Sequence, residues 1–96
     1  MIVVEGFFDC LKVWQSGLLN VVALMGSSLS EAQQKFLSDF ARVVLFLDGD
    51  EAGRTAARDI ASMLVHQTFV KIVNLPDGKQ PDQLSSEEIK TVIGSL

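Results

Sequence analysis

The sequence predicts an α/β fold: a mainly parallel sheet of about four strands with helices on both faces. Two observations carry this reading. Short β-rich runs alternate strictly with helical patterns along the 96 residues. The runs are also apolar on both faces, as a sheet covered on both sides requires.

The β-rich runs are Ile2 to Val4, Asn20 to Leu24, Val43 to Leu47 and Phe69 to Leu75. After the first, Phe7, Leu11, Trp14 and Leu18 recur at helical spacing. This predicts a first helix with that stripe, Trp14 included, packed into the core. Gly17 supplies its C-terminal stop. A second helix opens at Ser30, with Gln33 three residues on in a capping-box pattern. Its apolar stripe is Ala32, Phe36, Leu37 and Phe40. The third runs from about Glu51 to Val65, with Ala52, Ala56, Ile60, Met63 and Leu64 inward, and His66 reads as a surface residue in its last turn. The fourth follows a second capping box, Ser85 with Glu88, and places Ile89, Val92, Ile93 and Leu96 on one side. The segment from Leu75 to Gln83 has the Pro and Gly content of a loop.

The length suits one small domain over residues 1–96. Its abrupt start inside a strand suggests a piece of a longer polypeptide. A hydrophobic fraction of 48% with 21% charged residues indicates a globular, ordered chain. The single cysteine, Cys10, excludes an internal disulfide and a Cys-based zinc site made by this chain alone. No apolar run approaches the roughly 18 residues of a membrane span, and the start lacks a signal peptide's basic region. The expected setting is cytoplasmic. Net charge is −4, which argues against a stand-alone nucleic-acid binder. If this chain works on nucleic acid, metal ions or neighbouring domains must supply the positive field.

The acidic residues carry the chemistry. In an open parallel sheet, ligands bind beyond the carboxyl ends of the strands. Glu5 leaves the first strand there, Asp48 and Asp50 leave the third, and Asp82 lies in the loop after the fourth. Asp9, in the first turn of the first helix, can face the same edge. Such crowding of carboxylates needs an offset, and hard oxygen ligands without Cys or His favour Mg²⁺ or Mn²⁺. Bound metals of this kind suit phosphoryl or nucleotidyl transfer. Glu5 can alternatively act as general acid or base. Glu5 and Asp48 have no obvious capping duty, but the other residues also have a plainer reading. Asp50 can serve as the N-cap of the third helix, Glu51 favours the helix dipole, and Gly6, Gly49 and Gly53 can serve tight turns. Gly26-Ser27-Ser28 could cradle a phosphate, but without a P-loop lysine. Arg54 is poorly placed for a helix N-terminus, which points to pairing with an acid or a phosphate.

These residues resemble a known family. Val3 to Asp9, Gly26 to Ser30, Leu47 to Arg54 and Leu75 to Asp82, in this order, look like the TOPRIM domain, a Rossmann-like α/β unit, in the form found in bacterial DnaG-type DNA primases. The resemblance covers nearly the whole chain. It implies a magnesium-dependent nucleotidyltransferase core that makes RNA primers on single-stranded DNA from NTPs, with a replicative helicase as a further partner and no membrane. It implies Glu5, Asp48 and Asp50 as catalytic residues, with Asp82 joining them as metal ligands. It assigns Asp9, Arg54, Gly6 and Gly53 to substrate or phosphate. One departure stands out: the last loop reads Gln80-Pro81-Asp82 where such primases often carry Asp-Pro-Asp, which puts a complete second metal site in doubt. Whole primases also carry a zinc-binding domain and a basic region, so this chain alone is expected to be inactive. The alternatives are the TOPRIM domain of a topoisomerase or nuclease, and a non-catalytic TOPRIM scaffold. The chain has no tyrosine to serve a topoisomerase. A haloacid-dehalogenase phosphatase fits poorly, because Ala52 stands where Thr or Val belongs.

Overall fold

The computed structural model describes residues 1–26 and 28–94. The order of elements is β1 (Ile2–Val4), α1 (Phe7–Gln15), β2 (Val21–Ala23), α2 (Glu31–Ser38), β3 (Arg42–Leu45), α3 (Glu51–Leu64), β4 (Phe69–Ile72), a 3₁₀ turn (Pro81–Gln83) and α4 (Ser86–Ile93). The four strands form one sheet in the order β2-β1-β3-β4. Every pairing is parallel, with Val3 opposite both Val22 and Leu45. The predicted fold class is therefore the observed one.

Alternation along the central strands divides the interior into two layers. Val3, Val43 and Leu45 point to one side, where they meet Leu37 of α2 and Ala56, Ala57, Ile60 and Leu64 of α3. Ile2, Val4 and Val44 point to the other, against Val13 of α1 and Ile89 and Ile93 of α4. Each layer is an apolar sheet face closed by a pair of helices, and burial of those aliphatic side chains is its main stabilising term.

The helix ends follow the sequence closely. Ser30 and Ser85 each accept from the backbone N–H three residues on, and Gln33 and Glu88 return the bond. Gly17 follows α1 with a φ of 93°, where a side chain would be strained. The strand limits shift slightly. The third run begins at Arg42, and Phe46 and Leu47 stay buried beyond its formal end. The fourth ends at Ile72, because the chain from Leu75 on is drawn across to the loop after β3. There Gly49 donates to the Lys79 carbonyl and accepts from the Gly78 N–H.

The α1 stripe is the main correction. Phe7, Leu11 and Trp14 are exposed, and the helix buries Asp9 and Val13 instead. The reason is tertiary. The 3₁₀ turn and α4, more than 60 residues later, pack on α1 and select a face that local periodicity does not mark. Smaller corrections have the same cause. Ala32 and Phe36 of α2, and Ala52 and Met63 of α3, lie outside the core, whereas Gly53 and Ala57 lie inside it. His66 is exposed just past the end of α3. Leu96 and Ser27 fall outside the described residues.

Candidate metal centre

Strand order places the site. From β1 the chain moves outward to β2, then crosses back over β1 to β3 and on to β4. The crevice of such a sheet opens where the direction reverses, between the carboxyl ends of β1 and β3. Glu5 and Asp48 leave these two strands. Between them lies an open cleft of about 470 Å³ lined by Glu5, Gly6, Phe7, Phe8, Asp9, Met25, Gly26, Asp48, Gln80 and Asp82.

The β3 exit is held tightly. The Oδ1 of Asp50 accepts from the Gly53 N–H at 2.6 Å and caps α3. A Cβ on Gly53 would overlap the carbonyl oxygen of Asp48, so only glycine lets the helix approach the strand end this closely. Arg54 forms an ion pair with Asp77 and also donates to the Leu75 carbonyl at 3.4 Å. Its guanidinium therefore clamps the loop after β4 onto α3. The pairing expected from its unfavourable helix position is thus with an acid of this chain.

The β1 exit is looser. Gly6 caps α1 without a side-chain bond. The carbonyl of Glu5 accepts from the Met25 N–H at 2.8 Å, extending the β1–β2 pairing by one step beyond Leu24. Met25 itself sits at a φ of 60°. That conformation costs a non-glycine residue about 1–3 kcal/mol and persists only where its surroundings enforce it.

Asp48 is the electrostatic focus. Its Oδ1 is buried without a hydrogen-bond partner. Burial, then the adjacent Glu5 carboxyl, then the charges of Asp50 and Asp82, push its pKa up to about 6. Asp9 is also raised, first by burial, against the opposing pull of its bond to the Asp82 backbone. That bond, Asp82 N–H to Asp9 Oδ1, measures 3.1 Å. Asp9 thus ties the 3₁₀ turn to α1.

Of the residues read from the sequence, Glu5, Gly6, Asp9, Asp48 and Asp82 share the cleft. Asp50, Gly53 and Arg54 stand behind it, occupied with helix capping, helix approach and the loop clamp. Among the described residues, no three potential ligands already converge at metal-binding spacing. The donor chemistry nevertheless fits a hard divalent ion. An orphaned buried carboxylate oxygen beside a second carboxylate is what such an ion would satisfy. Sequence reasoning missed Phe8 and Met25 as cleft residues and Asp77 as the partner of Arg54. A methionine two residues past a strand carries no signal for positive φ, and Asp77 reads as an ordinary turn acid.

The Toprim-like family profile matches residues 2–85. This chain belongs to that family. It is 41% identical over 85 residues to a DNA primase of Clostridium acetobutylicum, covering 86% of this chain and 14% of the relative. It is 39% identical over 100 residues to a DNA primase of Aquifex aeolicus, covering 98% and 20%. Among solved structures, the zinc-binding and RNA polymerase domains of the Aquifex aeolicus primase superpose with a TM-score of 0.83 at 38% identity, covering 96% of this chain and 24% of that one. A DnaG primase catalytic domain bound to single-stranded DNA gives a TM-score of 0.81 at 28% identity, covering 97% and 32%. The resemblance to the TOPRIM domain of DnaG-type primases is borne out. The chain spans only 14% to 20% of the length of these two curated relatives. No described helix is long and apolar enough to cross a membrane.

Proposed function

We propose that this chain is the metal-binding catalytic core of a DNA primase, working as one domain of a longer cytoplasmic polypeptide that makes RNA primers on single-stranded DNA. The observation that carries the reading is the orphaned Asp48 oxygen beside Glu5 at the switch point of the sheet, in a chain similar to DNA primases over most of its length. Mg²⁺ or Mn²⁺ held by Glu5, Asp48 and Asp82, with Asp50 adjoining, supplies charge neutralisation at phosphate and activation of an attacking hydroxyl. The protein's own part is positional. Gly53 and the Asp50 cap fix Asp48, and the Asp9 bond holds Asp82 at the cleft. Without metal, the raised Asp48 carboxyl and the neighbouring Glu5 can share a proton, which a bound metal would displace. The template and any helicase engage through other domains, because this chain is net acidic, and those domains add to the hold on NTPs at the cleft. It does not prime alone.

A non-catalytic scaffold is the second reading, favoured by the structural bonds that already engage Asp50 and Asp9. Mn²⁺ titration followed by NMR line broadening separates the two. The catalytic reading expects broadening centred on Glu5, Asp48 and Asp82, with affinity weakened at least about tenfold by Asp48→Asn, since loss of even an outer-shell partner costs roughly 10–100-fold. Unlocalised broadening, or an Asp48→Asn variant that binds as the parent does, sinks it.

A further inference from the structure

One wall of the cleft carries none of the chemistry described so far. Phe7 and Phe8 are 60% and 70% exposed, and Met25 is 71% exposed. All three line the same cleft as Glu5, Asp48 and Asp82. They come from separate elements, the first turn of α1 and the loop after β2, so the apolar surface wraps the cleft mouth rather than following one helix. Leu11 and Trp14 continue the α1 stripe but are not among the cleft residues. The two phenyl rings meet edge to face, with centroids 5.6 Å apart and planes at 71°. Neither ring lies flat on the other, which leaves ring faces for a third planar group. Met25 is held there by its bond to Glu5 despite positive φ, and a thioether packs well against aromatic rings.

Large apolar groups left this exposed, beside carboxylates and in a pocket of small-molecule size, call for a ligand with two unlike halves. We propose that Phe7, Phe8 and Met25 form a stacking shelf for a nucleobase, on a nucleotide whose phosphates face the Glu5–Asp48–Asp82 side of the same cleft. This rests on the metal-centre reading for the phosphate half only. Stacking needs no basic residue and is indifferent to base identity, which suits a net-acidic chain that must accept any nucleotide. The competing occupant, an apolar surface of another protein domain, has no use for the carboxylates opposite.

Two probes that differ in their organic half isolate the shelf. With excess Mg²⁺, ATP and inorganic tripolyphosphate are titrated into the chain, labelled for NMR. ATP is expected to bind about tenfold tighter, a typical contribution of one base–aromatic stack, and to shift the Met25 methyl and Phe8 ring protons upfield. Phe8→Ala, a surface substitution, removes the preference and leaves tripolyphosphate binding unchanged. Equal affinity for the two probes, absence of the upfield shifts, or a preference that survives Phe8→Ala overturns the shelf. Adenosine without metal separates this failure from that of the metal centre. Upfield shifts with adenosine when Mn²⁺ finds no localised site support the shelf and sink the metal reading. Localised Mn²⁺ binding with no response to adenosine or ATP sinks the shelf alone.

Discussion

The exits of β1 and β3 share one pattern, strand then acid then glycine then helix, yet they are restrained very differently. At β3, Gly49 and Gly53 are pressed against backbone. A Cβ on the first would overlap the Pro76 carbonyl oxygen, and on the second that of Asp48. At β1, a Cβ on Gly6 would meet only Asp9 Oδ2, at an ordinary 3.6 Å. Asp50 caps α3 with its side chain, whereas α1 starts without such a bond. The contrast separates two jobs. The β3 exit holds a carboxylate where it is electrostatically uncomfortable, and the β1 exit opens onto a cleft lined by aromatic side chains.

Glycine substitution breaks that contrast most directly. Gly53→Ala is expected to destabilise by about 3 kcal/mol, as overpacking against rigid backbone does. Gly6→Ala should fall within about 0.5 kcal/mol of the parent. Its backbone is extended and its surroundings are open, and the lost freedom of the unfolded chain offsets any small clash. Urea midpoints for the two variants decide it. Equal losses would mean that the two exits are restrained alike.

The same contrast explains what was legible in the sequence. Locally encoded features were legible: the capping boxes at Ser30 and Ser85, the Gly17 stop, the strand–helix alternation, and the acids that strand polarity sends to one edge. Features made by distant chain segments were not. The buried face of α1 is chosen by a turn and helix more than 60 residues away, so apolar periodicity pointed Phe7, Leu11 and Trp14 inward when they face out. Asp9 is placed at the site edge by its position in the first turn of α1, but its bond to the Asp82 amide, 73 residues on, leaves no local signal. Asp50 and Gly53 carried two readings at once. Sequence spacing does not separate a ligand from a cap, since both want a carboxylate just before a helix.

Asp9 gives a smaller test of how the looser exit is tied down. Asp9→Ala leaves the Asp82 N–H without its acceptor and should cost about 1 kcal/mol. Asp9→Asn retains an acceptor oxygen at the same place and should recover at least half of that loss. Hydrogen exchange at the Asp82 amide should follow the same order, fastest in the alanine variant. If the asparagine variant exchanges as fast as alanine, the carboxylate charge rather than the bond holds the turn.

An effect of similar size concerns Asp48, whose raised pKa records the cost of the fixed exit. Its folded value, about 6, lies above its ordinary 3.8. Between these values the folded chain keeps a proton that the unfolded chain has released, so this contribution to stability is complete below about pH 4 and is lost as pH rises through about 6. Asp9, raised as well, acts in the same direction. Glu88, lowered by its bonds to Ser85, acts in the opposite one. Comparison with Asp48→Asn cancels the Glu88 term and leaves the part of the Asp9 shift that comes from burial, its largest cause, in both chains. The variant should gain on the parent by roughly 1 kcal/mol between pH 4 and pH 7, less than the full linkage value because water screens a carboxylate that is only partly buried. Glu5→Gln divides the causes further. It should lower the Asp48 pKa read by NMR, yet leave it above 3.8, because burial outranks the Glu5 charge. A return to 3.8 in that variant would mean that crowding between the two exits, and not the tightness of the β3 exit itself, holds the proton on Asp48.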